Sequence, residues 1–119
     1  MHNLKEIKVW QKAVELSIDI YQLTQSFPQE EKFGLVSQMR RSSVSIASNI
    51  AEGAGRSSDK EFAQFLAIAN GSSFELLTQC TIRGKLQFLN IADFEKVENQ
   101  IMELQKMIYA FKNRLKSNV

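Results

Sequence analysis

One cysteine, one histidine and one proline occur in this chain of 119 residues. Each scarcity excludes something. With Cys80 alone there is no intrachain disulfide, so a reducing compartment, the cytoplasm, is expected. His2 is the sole histidine and is placed at a terminus expected to fray. That leaves no His/Cys cluster for a metal and no imidazole to activate a serine. Catalytic residues, metal sites and cofactors are therefore expected to be none, and the chain is read as not an enzyme. Five glycines and the single Pro28 leave little room for linkers. No apolar run approaches the roughly 20 residues that span a bilayer, so no membrane role is expected. The opening MHNLKEIKVW has no apolar stretch of the signal-peptide kind. Neither sign of charge dominates: 15 basic and 13 acidic residues give +2. That is too balanced for bulk charge to argue nucleic-acid binding, which would need a local patch.

What the chain does have is helical periodicity throughout. Val9, Ala13, Leu16, Ile20, Leu23 and Phe27 form one face of a first helix over about 4–26, closed by Pro28. A second helix, about 29–54, opens on Glu30 and Glu31, where acids suit the dipole. Its core face is Leu35, Met39, Ile46 and Ile50, with Ser42 or Ser43 filling the gap. Gly53 and Gly55 are expected to stop it through a left-handed cap. Ser58-Asp59-Lys60-Glu61 reads as a capping box opening a third helix, about 58–87. Phe62, Leu66, Ala69, Ser73, Leu76 and Cys80 line it, with Gly84 continuing the line. Phe94, Val97, Ile101, Leu104, Ile108, Phe111 and Leu115 give a fourth helix, about 91–116, a strict three-four seam. No segment alternates as a strand does. One domain of the all-α class is expected: an antiparallel, up-down-up-down four-helix bundle with short connections.

Apolar residues exceed what one core needs. Trp10, Val14 and Tyr21 lie off the first seam, and Phe65, Ile68 and Leu77 off the third. They either widen the core or form a second buried surface, and self-association is expected from the latter.

The segment Gln38–Arg56 is unusual for a bundle helix, being rich in serine, alanine, glycine and asparagine between arginines. Arg41, Ser45, Ser48 and Glu52 share one polar line, and Gln38, Ser42, Ser45 and Asn49 an adjacent one. Val44, Ala47 and Ala51 form a line of small apolar residues. A glycine in mid-helix, Gly71, costs about 1 kcal/mol relative to alanine, and close packing of the third helix on Ala47 and Ala51 would offset it. The polar line has two readings. Arg40, Arg41 and Arg56 with nearby serines and Asn49 suit phosphate, because the guanidinium fork is planar and always charged. Alternatively, Arg41 or Arg56 pairs with Glu52 while Asn49 caps backbone at the helix end. Elsewhere, Glu52 and Glu75 are a weak carboxylate pair, Met102 and Met107 read as gap fillers, and the Gly53–Arg56 amides face a helix start that suits an anion.

The chain resembles the four-helix-bundle family of 23S rRNA intervening-sequence proteins. The likeness runs through Trp10-Gln11-Lys12-Ala13, Tyr21, Phe27-Pro28, Glu31, Phe33-Gly34-Leu35, Gln38 and Arg40-Arg41. It continues through Ser45-Ile46, Asn49-Ile50-Ala51-Glu52-Gly53 and Arg56, then Phe62, Phe65-Leu66, Ile68-Ala69, Gly71-Ser72 and Glu75-Leu76. Its most specific part is the string SIxxNIAEGxGR. The resemblance implies a small antiparallel bundle assembling as a ring, a homopentamer, with no catalytic residues to carry over. A related branch, the accessory proteins of diversity-generating retroelements, binds nucleic acid and a reverse transcriptase through a basic surface, from which a net charge of +2 departs. Ala47 stands where many members have proline, implying a straighter second helix. Two functions follow as expectations: a non-enzymatic homo-oligomer that binds RNA or DNA, or a scaffold for a protein partner without nucleic acid.

Overall fold

The computed structural model describes residues 2–27, 34–86 and 89–117. A 3-10 turn, Leu4–Glu6, precedes four α-helices: α1 Lys8–Thr24, α2 Leu35–Ala54, α3 Asp59–Lys85 and α4 Ile91–Ser117. No strand occurs among the described residues. Each helix packs on its neighbours in the cyclic order α1, α2, α3, α4 and back to α1. At about 1.5 Å per residue, the 27 residues of α3 and of α4 span roughly 40 Å. The molecule measures 47 × 22 × 20 Å, one helix long and two helices across.

Side-chain pairs run in opposite senses along α1–α2 and along α2–α3. Ser17 meets Ser43 and Thr24 meets Arg40 between α1 and α2. Ser45 meets Ser72 between α2 and α3, while Gly53 lies against Phe62 and Phe65. The register of these contacts is consistent with the expected up-down arrangement.

The seams read from periodicity form the core. Leu16, Ile20, Met39, Ile46, Ile50, Leu66, Leu76, Ile101 and Ile108 are all buried, as is Cys80. Leu23, Phe27, Leu35, Phe94 and Phe111 are partly buried against them. Both Ser42 and Ser43, rather than one, fill the gap in the α2 seam. The Ser58 half of the capping box forms as expected: the Glu61 N–H donates to Ser58 Oγ at 3.1 Å, while the Glu61 carboxylate takes the Ser58 hydroxyl, 3.3 Å from Oε1. Asn90 caps α4 in the same way, its Oδ1 accepting from the Asp93 N–H at 2.8 Å.

Three expectations are corrected. The first helix begins at Lys8, because Ile7 is extended (φ −81°, ψ 110°) and separates it from the 3-10 turn. The second does not end on a left-handed glycine. Gly55 caps it at φ −83°, ψ −3°, in the right-handed region, and Gly53 lies inside the helix and is buried. His2 is docked rather than frayed: its backbone N–H donates to Ala54 O at 3.3 Å, and its ring meets Phe62 edge-on, centroids 5.0 Å apart. The expectations at Pro28, Gln29, Glu30, Glu31, Gln87 and Phe88 lie outside the described residues.

Candidate functional site

The segment Gln38–Arg56 is one wall of the α2–α3 contact, and its small residues explain how near the two helices come. Ser45 Oγ and Ser72 Oγ are 3.0 Å apart across the seam. Two hydroxyls one bond beyond Cβ can meet only if the backbones are close. Asn49 completes the cluster, its Nδ2 donating to Ser45 O at 2.8 Å and lying 3.1 Å from Ser45 Oγ. Asn49 therefore bonds one turn back within α2 and does not cap the helix end. A β-carbon added at Gly53 would stand 2.7 Å from Phe65 Cβ and 2.8 Å from Phe62 Cδ1. Gly53 is thus required by sterics rather than by backbone freedom.

Gly71 does not take the place expected for it. It is exposed, and an added β-carbon would meet nothing within 4 Å. The line Val44–Ala47–Ala51 does not face α3 either. On a helix of 3.6 residues per turn it lies opposite Ser45, Asn49 and Gly53; Val44 is exposed and Ala47 packs toward the core. The closest approach of α2 to α3 instead uses the polar line and Gly53, with Ser72 in place of its neighbour Gly71.

Beside this seam lies an open groove of about 480 Å³. Gln38, Arg41 and Ser45 form its α2 wall, and Ser72, Glu75 and Gln79 its α3 wall. Glu52, offered with Glu75 as a carboxylate pair, is not in it. The groove presents hydroxyls, amides, one cation and one anion. It can hydrogen-bond a polar group, but Glu75 works against an anion there.

The three candidate arginines point in three directions. Arg40 is engaged with α1: its Nε donates to Thr24 Oγ1 at 2.9 Å and its Nη2 to Tyr21 O at 3.3 Å, with the guanidinium 4.7 Å from the Tyr21 ring centroid. Arg41 is exposed at the groove mouth, and its Nη2 lies 3.4 Å from Ser37 Oγ. Arg56 sits at the end of the bundle, 3.1 Å from Glu52 Oε1 and stacked on Phe65 at 4.7 Å. Fifteen residues separate Arg41 from Arg56, roughly 22 Å along a helix. One chain does not gather them into a patch.

Several residues escaped the sequence reading. Arg83 is fully buried, with its guanidinium 4.4 Å from the Phe27 ring centroid. The seam Ser73–Leu76–Cys80 steps by three and four, and a further step of three reaches Arg83. That step was the available signal. Ser73 also accepts from Gln105 Nε2 at 3.1 Å, tying α3 to α4. Cys80 is buried beside Arg83; burial pushes its thiol up to about 12, with Arg83 opposing, so it stays protonated at neutral pH. Met102 is exposed, not a gap filler, while Met107 packs on the core. Among the described residues no group of three or more His, Cys, Asp or Glu side chains is placed to hold a metal, and no helix is long and apolar enough to cross a membrane.

Comparison with curated proteins finds no match. Among solved structures, the chain is similar to a protein of unknown function from the S23 ribosomal protein family of Bacteroides thetaiotaomicron. The two are 24% identical with a TM-score of 0.82, over 88% of this chain and 95% of that one. At that identity the likeness speaks for the fold. The family described as 23S rRNA-intervening sequence protein matches residues 5–110. With the four-helix architecture and nearly the whole length accounted for, the chain belongs to the 23S rRNA-intervening sequence protein family.

Proposed function

We propose that this protein is a non-enzymatic helical bundle of the cytoplasm that assembles with copies of itself and binds RNA or another nucleic acid. The observation that carries the reading is the outer face of α2. It holds the exposed Arg41, with Arg56 beyond it, and elsewhere on the surface stand apolar residues the core does not use. Ile18 on α1 is 52% exposed, and Tyr21 on α1 and Val44 on α2 are exposed as well. A separate apolar set stands on α3, where Ile68 is 53% exposed and Ile82 is also exposed. Of the residues expected off the seams, Trp10 and Leu77 instead pack partly against the core.

Two unlike apolar faces suit a head-to-tail contact between copies, which closes into a ring when the rotation allows. The homopentamer implied by the family resemblance is such a ring. Repetition would multiply Arg41 and Arg56 into a field that +2 per chain does not suggest, and several weak phosphate contacts would then act together. Sedimentation velocity with RNA titrated at two salt concentrations tests this. The expected result is a discrete oligomer whose RNA affinity falls steeply with salt. A monomer at micromolar concentration, or RNA binding that is absent or indifferent to salt, would overturn it.

A scaffold without a nucleic-acid role is the second reading. It is favoured by the internal engagement of Arg40 and the pairing of Arg56 with Glu52. It predicts a protein partner that survives nuclease treatment in a pulldown.

A further inference from the structure

Where α3 begins and α4 finishes, a groove of about 520 Å³ runs between them, apart from the α2–α3 seam. Its floor includes Ala63, buried, and Ala67, exposed, one turn apart on α3. The adjoining core positions carry Phe62 and Leu66. Two methyl groups leave open the space that longer side chains would fill. The rim is cationic, with Lys60 from α3 and Lys112 and Lys116 from α4. The carboxylate in the lining, Asp59, lies 3.1 Å from His2 Nε2. None of the three lysines pairs with a carboxylate among the described residues.

Local helix energetics account for only part of this. Lys112 and Lys116 lie near the C-terminus of α4, where the dipole favours cations. Lys60 stands in the first turn of α3, where the dipole disfavours one. Lys112 and Lys116 are also one turn apart, a spacing at which like charges repel. Among the described residues, three cations without carboxylate partners thus stand around a groove whose lining includes Ala63, Ala67 and Gln64.

We propose that this groove docks an acidic, amphipathic segment of a partner protein. An aliphatic side chain lies over Ala63 and Ala67, and flanking carboxylates meet the three lysines, whose alkyl stems extend the apolar walls. The floor decides against a nucleic-acid backbone. A phosphodiester gains nothing from methyl groups, and the lining has neither an aromatic ring for stacking nor an arginine fork. The inference does not depend on Arg41 or Arg56.

The test uses the full chain and fluorescence anisotropy. The probe is a labelled helical peptide of about four turns, with leucines at i and i+4 flanked by glutamates. Controls are the same peptide with alanine for leucine, and a single-stranded RNA oligonucleotide. The expected result is saturable binding of the leucine peptide. That binding should weaken about tenfold on removing the leucines, and about tenfold in Lys112→Glu/Lys116→Glu and in Ala67→Glu. Circular dichroism confirms that each variant stays helical. The proposal fails if the two peptides bind alike, if the variants bind as the parent does, if no peptide binds, or if RNA displaces the peptide. It also fails if Lys112→Glu/Lys116→Glu dissociates an oligomer, which would make the groove a contact between copies.

Discussion

Alanine at Gly53 and alanine at Gly71 should have opposite effects, although both replace a glycine inside a helix. At Gly53 the new methyl would stand 2.7 Å from Phe65 Cβ and 2.8 Å from Phe62 Cδ1. Phe65 Cβ is fixed to the α3 backbone and moves only with the helix. Carbon atoms pack best at about 3.5–4.0 Å, so α3 must withdraw by roughly 1 Å. That would also stretch the 3.0 Å Ser45–Ser72 bond. Better helix propensity contributes about 1 kcal/mol. Overpacking costs about 1–3 kcal/mol, and loss of the hydroxyl pair about 1 kcal/mol more. A net loss of about 1–3 kcal/mol follows, which at this chain length lowers Tm by roughly 5–10 °C. At Gly71 the methyl meets nothing within 4 Å, so the propensity gain of about 0.5–1 kcal/mol stands alone and Tm rises by a few degrees. Thermal unfolding followed by far-ultraviolet circular dichroism, at one fixed protomer concentration, reads both. A Gly53→Ala variant as stable as the parent, or a destabilised Gly71→Ala variant, would refute the assignment of the close contact to Gly53.

Arg40→Met should cost about 1–2 kcal/mol in denaturant unfolding, because it removes the bonds to Thr24 Oγ1 and Tyr21 O. Arg41→Met, at an exposed site, should stay within about 0.5 kcal/mol. In a double-mutant cycle, Ser45→Ala and Ser72→Ala should be coupled by about 0.5–1 kcal/mol, since each alone strands the other's hydroxyl; additive effects would deny the contact. The Cys80 thiol is pushed up to about 12 in the fold from an ordinary value of 9.0. The folded state therefore holds that proton more tightly. The resulting stability is complete below pH 9 and is lost as pH rises from 9 toward 12, by up to about 1.4 kcal/mol per pH unit. Cys80→Ala should flatten that part of the pH–stability curve relative to the parent.

Periodicity made the bundle legible because a helix buries a repeating stripe: Val97, Ile101, Leu104, Ile108 and Leu115 are buried, with Phe94 and Phe111 of the same seam partly so. Caps were legible for the same local reason: Ser58 and Glu61 need only each other. The pairing of faces was harder to read. Spacing assigns residues to a line, but it does not say which neighbour the line meets. Small residues mark close approach in either direction, so spacing assigned α3 to Val44–Ala47–Ala51 although Gln38–Ser42–Ser45–Asn49 is the line that meets it. Hydroxyl pairing decided between them. Ser45 and Ser72 satisfy each other in a seam where an aliphatic line would leave Ser72 buried without a partner. Arg83 was missed because composition rules place arginine on the surface. Its burial follows from the step of three beyond Cys80 and from the Phe27 ring it stacks on.

The string from Ser45 to Arg56 that marks the family divides by what each side chain meets. Ile46 and Ile50 are buried in the core, while Ser45, Asn49 and Gly53 face α3. These inner positions fix a register. Sliding α2 by one turn, about 5.4 Å, would set Asn49 where Gly53 now stands and drive its side chain into Phe65. No other alignment keeps Ser45 opposite Ser72 and an absent β-carbon opposite Phe65 Cβ at once. Glu52 and Arg56 are the outward members, and they pair with each other at 3.1 Å with both side chains substantially exposed. An exposed pair of this kind is worth only about 0.3–0.5 kcal/mol. Breaking it would therefore cost the fold little. The inner half of the string is thus committed to joining two helices, while its outer half, Glu52 and Arg56, contributes little to that contact.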